Sequence, residues 1–107
     1  MRDDREKLRD ILDAMGRIEK HTAGGREAFD RDELVQVWVV HHLQLIGEAA
    51  AQLSDGFRAA HPQVPWRAII AMRNLLVHAY FKTDLDEAWG VVERDLPTLK
   101  AQVEAML

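Results

Sequence analysis

The residues best suited to chemistry lie in one short segment, Arg73 to Phe81, which reads RNLLVHAYF. Histidine titrates near neutral pH and can act as a general acid or base. Arginine stays charged and offers a planar set of donors that suits phosphate. Together, the two side chains could cleave a phosphodiester without a metal ion. His78 would move the proton, and Arg73 would stabilise the charge that develops in the transition state.

The spacing of Arg73 and His78 limits how a helix could present them. Five residues at 100° each leave the two side chains about 140° apart on a straight helix. Either the helix ends or distorts near His78, or the arginine stem reaches round, or a symmetry-related copy completes the site. On spacing alone, an arginine and a histidine on a helix are more often a capping or interface pair than a catalytic pair.

Apolar residues at three- and four-residue spacing predict helices along nearly the whole chain, with no convincing strand alternation. The expected helices run over residues 3–21, from 30 or 32 to 53, 57–60, from 65 to about 80, and from 83 onward. Thr83 to Asp86 matches a capping box at the start of the last helix, and Pro97 should kink or split it around Asp95. The predicted fold is an all-α, up-and-down bundle of four main helices plus a short one, as a single domain over residues 1–107.

The second predicted main helix is apolar over a wide face. One stripe is formed by Leu34, Val37, Trp38, His41, Leu45 and Ala49, and other apolar residues flank it. Such width indicates burial on two sides, as in the centre of a bundle or at an oligomer interface. We therefore expect His41 to be a core or interface histidine. Gly47 in mid-helix costs about 1 kcal/mol relative to alanine, which close helix packing would explain.

Composition excludes several classes of function. The chain has 107 residues and no cysteine, so disulfides, zinc–thiolate sites and cysteine nucleophiles are ruled out. Fourteen basic against 18 acidic residues give a net charge of −4, so nucleic acid would need a local basic site or a partner. The sequence contains no metal-ligand spacing and no phosphate loop, and we predict no metal or cofactor. The charged N-terminus and the lack of a long apolar run predict a cytoplasmic protein without a membrane span.

Four landmarks in order resemble a known family. Arg73-x4-His78-x-Tyr80 matches in full the R-x4-H-x-Y motif of the HepT-like proteins, a branch of the HEPN superfamily. Ile46-Gly47-Glu48-Ala49 resembles the family's I-G-E-A stretch, and Val64-Pro65-Trp66 precedes the motif as expected. Asp95-Leu96-Pro97-x-Leu99 resembles its D-L-P-x-L. The resemblance covers about Leu34 to Leu107, while the first helix matches only in length and character.

The resemblance implies a homodimeric, HEPN-like ribonuclease toxin of a type VII-like toxin–antitoxin pair. Arg73 and His78 would form a metal-independent site for RNA cleavage in a cleft at the dimer interface. The implied antitoxin is a minimal nucleotidyltransferase of the MNT type, which silences the toxin by adding AMP to the motif tyrosine, Tyr80. An adenylyl group would place negative charge and bulk beside the cationic site, and so would repel and block an RNA phosphate.

Two further residues are candidates for supporting roles. Asn74 could bond to RNA or fix the His78 ring, or it could cap a turn. Glu48 could orient His78 or pair with Arg73, or it could be an ordinary solvated glutamate.

Two other functions stay open. A non-catalytic HEPN binding module that docks a nucleotidyltransferase would suit the acidic net charge, and a purely structural helical dimer would use Arg73 and His78 to stabilise its interface.

Overall fold

The computed structural model describes residues 3–75 and 82–107, the second range with side chains from Leu85 onward. All regular structure in these two ranges is helical, which confirms the predicted all-α class. The helices are α1 (Asp4–Thr22), α2 (Gly25–Arg31), α3 (Glu33–Ala51), α4 (Asp55–Ala60), α5 (Trp66–Ala71), α6 (Lys82–Gly90) and α7 (Leu96–Met106). A 3₁₀ turn, Met72–Asn74, continues α5, and a π-helical segment, Val91–Asp95, joins α6 to α7.

The two longest α-helices, α1 and α3, pack along each other and organise the core. Each begins at an aspartate whose carboxylate accepts backbone N–H groups of the first turn, Asp3 for α1 and Asp32 for α3. Helix α1 buries apolar residues at three- and four-residue spacing, namely Leu8, Ile11, Met15 and Ile18. Besides α1, helix α3 contacts α2, α5, the 3₁₀ turn and α6. Helix α3 is therefore covered on more than one side, as the bundle-centre alternative predicted, although part of its apolar face stays exposed.

Helix α2 was not predicted. Gly25 takes a left-handed conformation, with φ of 82°. The chain turns at the paired glycines, Gly24 and Gly25, and then enters a helix at once. Its one large apolar residue, Phe29, is fully buried and lies with its ring centroid 5.2 Å from that of Trp89. Arg26 on α2 forms an ion pair with Asp86 on α6. Hydrogen bonds to Asp86 and then Asp30 raise the pKa of the Arg26 guanidinium.

The C-terminal helical stretch differs in detail from its prediction. Its helix already includes Lys82, so Thr83 is not the N-cap and the proposed capping box is wrong. Distortion before Pro97 is confirmed, because the backbone is π-helical over Val91–Asp95 and returns to α-helix at Leu96. Proline lacks the N–H and crowds the preceding turn, which accounts for the irregular stretch there. The described chain thus has an extra helix and a divided last helix compared with the predicted four-plus-one arrangement.

The helix that carries Arg73 ends sooner than predicted. The sequence pattern suggested a helix from Pro65 to about Tyr80, but α5 gives way to the 3₁₀ turn at Met72, and Leu75 has an extended backbone, with φ −62° and ψ 136°. The carbonyl oxygen of Leu75 accepts a hydrogen bond from Gln44 Nε2 on α3, where a continuing helix would have used it internally.

Candidate functional site

Arg73 lies on the 3₁₀ turn between two buried anchors. Met72 and Leu75 on either side are each 8% exposed and belong to the core. The Arg73 side chain itself is 43% exposed. The fold therefore fixes the backbone of this residue while it leaves the guanidinium open to solvent, as a group that binds an anion requires.

Gly47 allows the 3₁₀ turn that bears Arg73 to approach α3 unusually closely. A Cβ atom built at Gly47 would lie 2.9 Å from the backbone N of Arg73 and 2.9 Å from the carbonyl O of Ile69. Real Cβ atoms essentially never come so near to other atoms, and both neighbours here are backbone. Only glycine allows this contact between α3 and the turn. The expectation that close packing accounts for Gly47 is thus confirmed, and the packing partner is the segment that bears Arg73.

Glu48, the next residue on α3, faces the same arginine. Its Oε2 atom lies 3.6 Å from Nη1 of Arg73, and its side chain is 52% exposed. The two charges form an ion pair, but the separation is longer than a hydrogen bond, so Glu48 does not occupy the guanidinium donors. Of the alternatives for Glu48, the structure shows the pairing with Arg73.

Gln44 completes the contacts from α3. Gln44, Gly47 and Glu48 are spaced as i, i+3 and i+4, so they share one face of the helix. Gln44 donates to the carbonyl of Leu75, while the other two meet Arg73. Sequence analysis missed Gln44. The available signal was a polar residue inside an apolar run, one turn before the glycine.

Of the other residues in the Arg73–Phe81 segment that were singled out, the structure describes only Asn74. Asn74 is exposed on the 3₁₀ turn, and within residues 3–75 and 82–107 its side chain has no hydrogen-bond partner. His78 and Tyr80 lie outside the described residues. Leu75 has an extended backbone, so the straight helix assumed in the 140° calculation does not continue from Arg73 beyond Asn74.

A cleft of about 580 Å³ opens between α1 and α3, and Glu48 lies on its wall. Its other walls include Lys7, Asp10 and Ala14 from α1, and His42 and Leu45 from α3. The interpretation of His41 as a core histidine is wrong, whereas its interpretation as an interface histidine stays a prediction. His41 is exposed, whereas His42 is 4% exposed, with Nδ1 2.7 Å from the carbonyl O of Trp38.

The apolar stripe of α3 is only half covered. Leu34, Val37 and Leu45 remain 81%, 42% and 45% exposed, and His41 is exposed between them. These four residues, the α3 stripe, run along one side of the helix beside the cleft. Within the described part of the chain they are covered only in part, although the inner residues of the same helix are buried.

The described part of the chain contains neither a cluster of metal-binding side chains nor a helix that could span a membrane. No group of three or more histidine, aspartate or glutamate side chains there could hold a metal ion. None of the helices there has the length and apolar character needed to cross a membrane.

Comparison with known proteins identifies the class. The family model described as "Ribonuclease HepT-like" matches residues 11–106. The chain therefore belongs to the HepT-like family of the HEPN superfamily.

Two relatives are similar over nearly their whole length, and a third over about three quarters of it. A "Probable ribonuclease HepT" from Thermococcus cleftensis is 37% identical over 98% of this chain and 96% of its own. The "Putative RNase MJ1380" from Methanocaldococcus jannaschii is 33% identical over 96% and 95%, respectively. The "Putative RNase TTE0752" from Caldanaerobacter subterraneus is 36% identical over 76% and 72%. No solved structure matches the chain at a significant level.

Proposed function

We propose that this protein is an endoribonuclease that cleaves RNA without a metal ion, with Arg73 and His78 as its catalytic residues. The observation that carries the proposal is the set of contacts between α3 and Arg73. Gly47 lets the backbone of Arg73 lie close to α3, and Glu48 forms an ion pair with the guanidinium, which stays partly exposed and makes no hydrogen bond to any described residue. Membership of the HepT-like family, whose relatives above are named as ribonucleases, agrees with this assignment.

The chemistry requires only groups that this chain can supply. The RNA 2′-oxygen attacks the adjacent phosphorus as it loses its proton to a base, and the bond to the 5′-oxygen breaks. The products are a 2′,3′-cyclic phosphate and a 5′-hydroxyl, which takes up a proton. His78 serves as the general acid or base. Arg73 binds the scissile phosphate and stabilises the extra charge of the transition state, and Asn74 supports the same phosphate or the His78 ring.

The proposed active form is a homodimer that places the site in a cleft between subunits. The α3 stripe supports this part of the proposal, because Leu34, Val37 and Leu45 expose an apolar surface that a monomer leaves in water. The stripe lies on the same helix as Glu48, so a partner covering it would come close to Arg73.

We also propose regulation by a nucleotidyltransferase of the MNT type in a toxin–antitoxin pair. The partner would transfer AMP from ATP to the Tyr80 hydroxyl, forming a bond from the phenol oxygen to the α-phosphorus as pyrophosphate leaves. The added phosphate would sit close in sequence to the arginine and histidine and would repel RNA. The support for this step is the family and the motif tyrosine.

The deciding experiment incubates purified protein with RNA in the presence of EDTA. We expect cleavage to persist, to yield cyclic phosphate ends, and to be abolished by His78→Ala in a protein that still folds. Cleavage that needs a metal ion, or full activity in His78→Ala, would overturn the mechanism. In cells, induction of the wild type alone should arrest growth, and co-expression of the nucleotidyltransferase should relieve the arrest.

A second candidate function is a non-catalytic HEPN module that docks a nucleotidyltransferase and helps it hold a substrate. The observation in its favour is the net charge of −4, which disfavours a general RNA-binding surface. Soluble protein that neither cleaves RNA nor arrests growth, but binds the nucleotidyltransferase, would favour this function over the first.

A further inference from the structure

Lys7 is buried without a counter-charge in the part of the chain that the structure describes. The residue is 5% exposed and lines the α1–α3 cleft. No described group forms an ion pair or hydrogen bond with its ammonium. Every fully buried side-chain nitrogen or oxygen in the described residues does have a partner. It follows that the Lys7 ammonium reaches the open space of the cleft while its apolar stem is packed.

His42 offers a second polar atom to the same cleft. A carbonyl oxygen only accepts, so the 2.7 Å contact with Trp38 O places a proton on Nδ1 of His42. The Trp38 ring packs against the imidazole, with centroids 4.3 Å apart, and further fixes its orientation. Nε2 then has no partner among the described residues and, like the Lys7 ammonium, is not sealed from solvent. Protonated imidazole would donate from this atom.

The carboxylates around the cleft are already engaged. Asp13 pairs with Arg17 at 3.0 Å, Glu48 pairs with Arg73, and Asp10 also has an interaction. Lys7 is therefore the charge in this cleft that lacks a neutralising partner in the described chain. An ammonium that is largely removed from water and has no counter-charge would be stabilised by an anion in the cleft. Glu48, which lines the same cleft as Lys7, is also the ion-pair partner of Arg73.

We propose that Lys7 and His42 form a phosphate-binding subsite in the α1–α3 cleft that takes a backbone phosphate of RNA away from the scissile one. This inference rests on the proposed ribonuclease function for its choice of ligand. It deepens that function, because it gives the RNA a path from Arg73 past Glu48 into the cleft. It also explains how a chain of net negative charge holds a polyanion, through a few placed cations and no general basic surface.

The test measures binding of a short fluorescein-labelled 2′-O-methyl RNA by fluorescence anisotropy over a range of salt concentrations. The 2′-O-methyl group prevents attack by the 2′-oxygen, so binding is observed whether or not the protein is a nuclease. Lys7→Met keeps the apolar stem and removes the charge. We expect about tenfold weaker binding and a salt slope smaller by about 0.7, the value for one lost phosphate contact on a single strand.

Arg9→Met is the matched control, since Arg9 is an exposed cation on the same helix and does not line the cleft. It should change binding by less than about twofold. Lys7→Arg should retain most of the affinity. His42→Asn should weaken binding, because the asparagine amide can still donate to Trp38 O but has nothing in place of Nε2. If Lys7→Met fails to fold, His42→Asn decides the question.

Several results would overturn the subsite. One is wild-type affinity in both Lys7→Met and His42→Asn, and another is an equal loss in Arg9→Met. A change of oligomeric state in Lys7→Met by light scattering would instead assign the cleft to a subunit interface. If AMP binds and Lys7→Met weakens AMP but not RNA, the subsite is a mononucleotide site. Weaker RNA binding by Lys7→Met in a protein that cleaves no unmodified RNA would support the subsite and refute the nuclease.

Discussion

Gly47 and Arg73 are in backbone contact across two helical elements, so close that a Cβ at Gly47 would lie 2.9 Å from the Arg73 nitrogen. This relationship explains why a residue that weakens a helix occupies the middle of α3, the central helix of the fold. Gly47 lowers the local stability of α3, but it allows the turn that bears Arg73 to pack directly against the helix. The site is thus fixed through the main chain, and the long arginine side chain needs to reach only a short way.

Gly47→Ala should destabilise the protein, because the methyl group would force α3 and the turn apart. We expect the free energy of unfolding in urea to fall by about 1–3 kcal/mol, the usual cost of overpacking. Gly16→Ala is the matched control, since Gly16 lies inside α1 with nothing within 4 Å of its Cβ position. That change should raise stability by about 0.5–1 kcal/mol. Equal effects of the two substitutions would argue against the close approach.

Arg73→Lys should abolish most of the activity although it conserves the charge. An ammonium cannot offer the two parallel donors with which a guanidinium holds a phosphate. We expect kcat/KM for RNA cleavage to fall by about 100-fold, which is typical for the loss of one donor to a developing charge. The Arg73 side chain is 43% exposed, so thermal unfolding should hardly change. Wild-type turnover in Arg73→Lys would mean that Arg73 acts as a simple point charge.

Glu48→Gln should separate positioning from stability. The pair with Arg73 is about half exposed at both ends, so its loss should cost less than about 1 kcal/mol of folding free energy. If Glu48 sets the direction of Arg73, kcat should fall several-fold with little change in KM, because the arginine must then be ordered during the reaction. Glu48→Asp, which retains the charge on a shorter stem, should be intermediate. Tighter RNA binding with unchanged kcat in Glu48→Gln would show that Glu48 merely competes with phosphate.

Leu45→Glu should convert the proposed dimer into a monomer. Leu45 is 45% exposed on the α3 stripe, and a charge there would be buried against the partner at high cost. The readout is the mass by light scattering, together with cleavage, which should fall if the site needs both subunits. Leu107→Glu provides the control, since Leu107 is similarly exposed at 41% but lies at the C-terminal end. A wild type that is already monomeric, or a dimer that survives Leu45→Glu, would remove the α3 stripe from the interface.

Periodicity predicted the parts of the fold that depend on long apolar faces. The buried stripe of α1, the central place of α3 and the irregular backbone before Pro97 follow from spacing and from the missing proline N–H. Helix α2 could not be predicted in this way, because it is a short helix with Phe29 as its only buried residue, too short to display a period. Its order comes from packing, which a linear pattern does not report.

The sequence identified Arg73 as a candidate residue but did not predict all the contacts that hold it in place. The motif identified Arg73, and the neighbouring Glu48 was suggested as its partner, as the structure shows. The end of the helix at Asn74 was missed, since Leu75 and the residues after it are apolar and continue a helical pattern. The carbonyl oxygen of Leu75 accepts a tertiary hydrogen bond from Gln44, and a local sequence pattern does not report such a contact. For the same reason, which of His41 and His42 faces inward depends on the angle at which α1 meets α3.

The shortness of α5 has a consequence for the order in which the protein matures. Six residues of α-helix and a three-residue 3₁₀ turn are well below the roughly 12–15 residues at which an isolated helix becomes marginally stable in water. The segment that carries Arg73 therefore acquires its shape only when α3 is present as a template. A newly made chain should pass through a stage in which α1 and α3 are paired but the arginine is not yet placed. Any destructive activity toward RNA would begin only once assembly is complete.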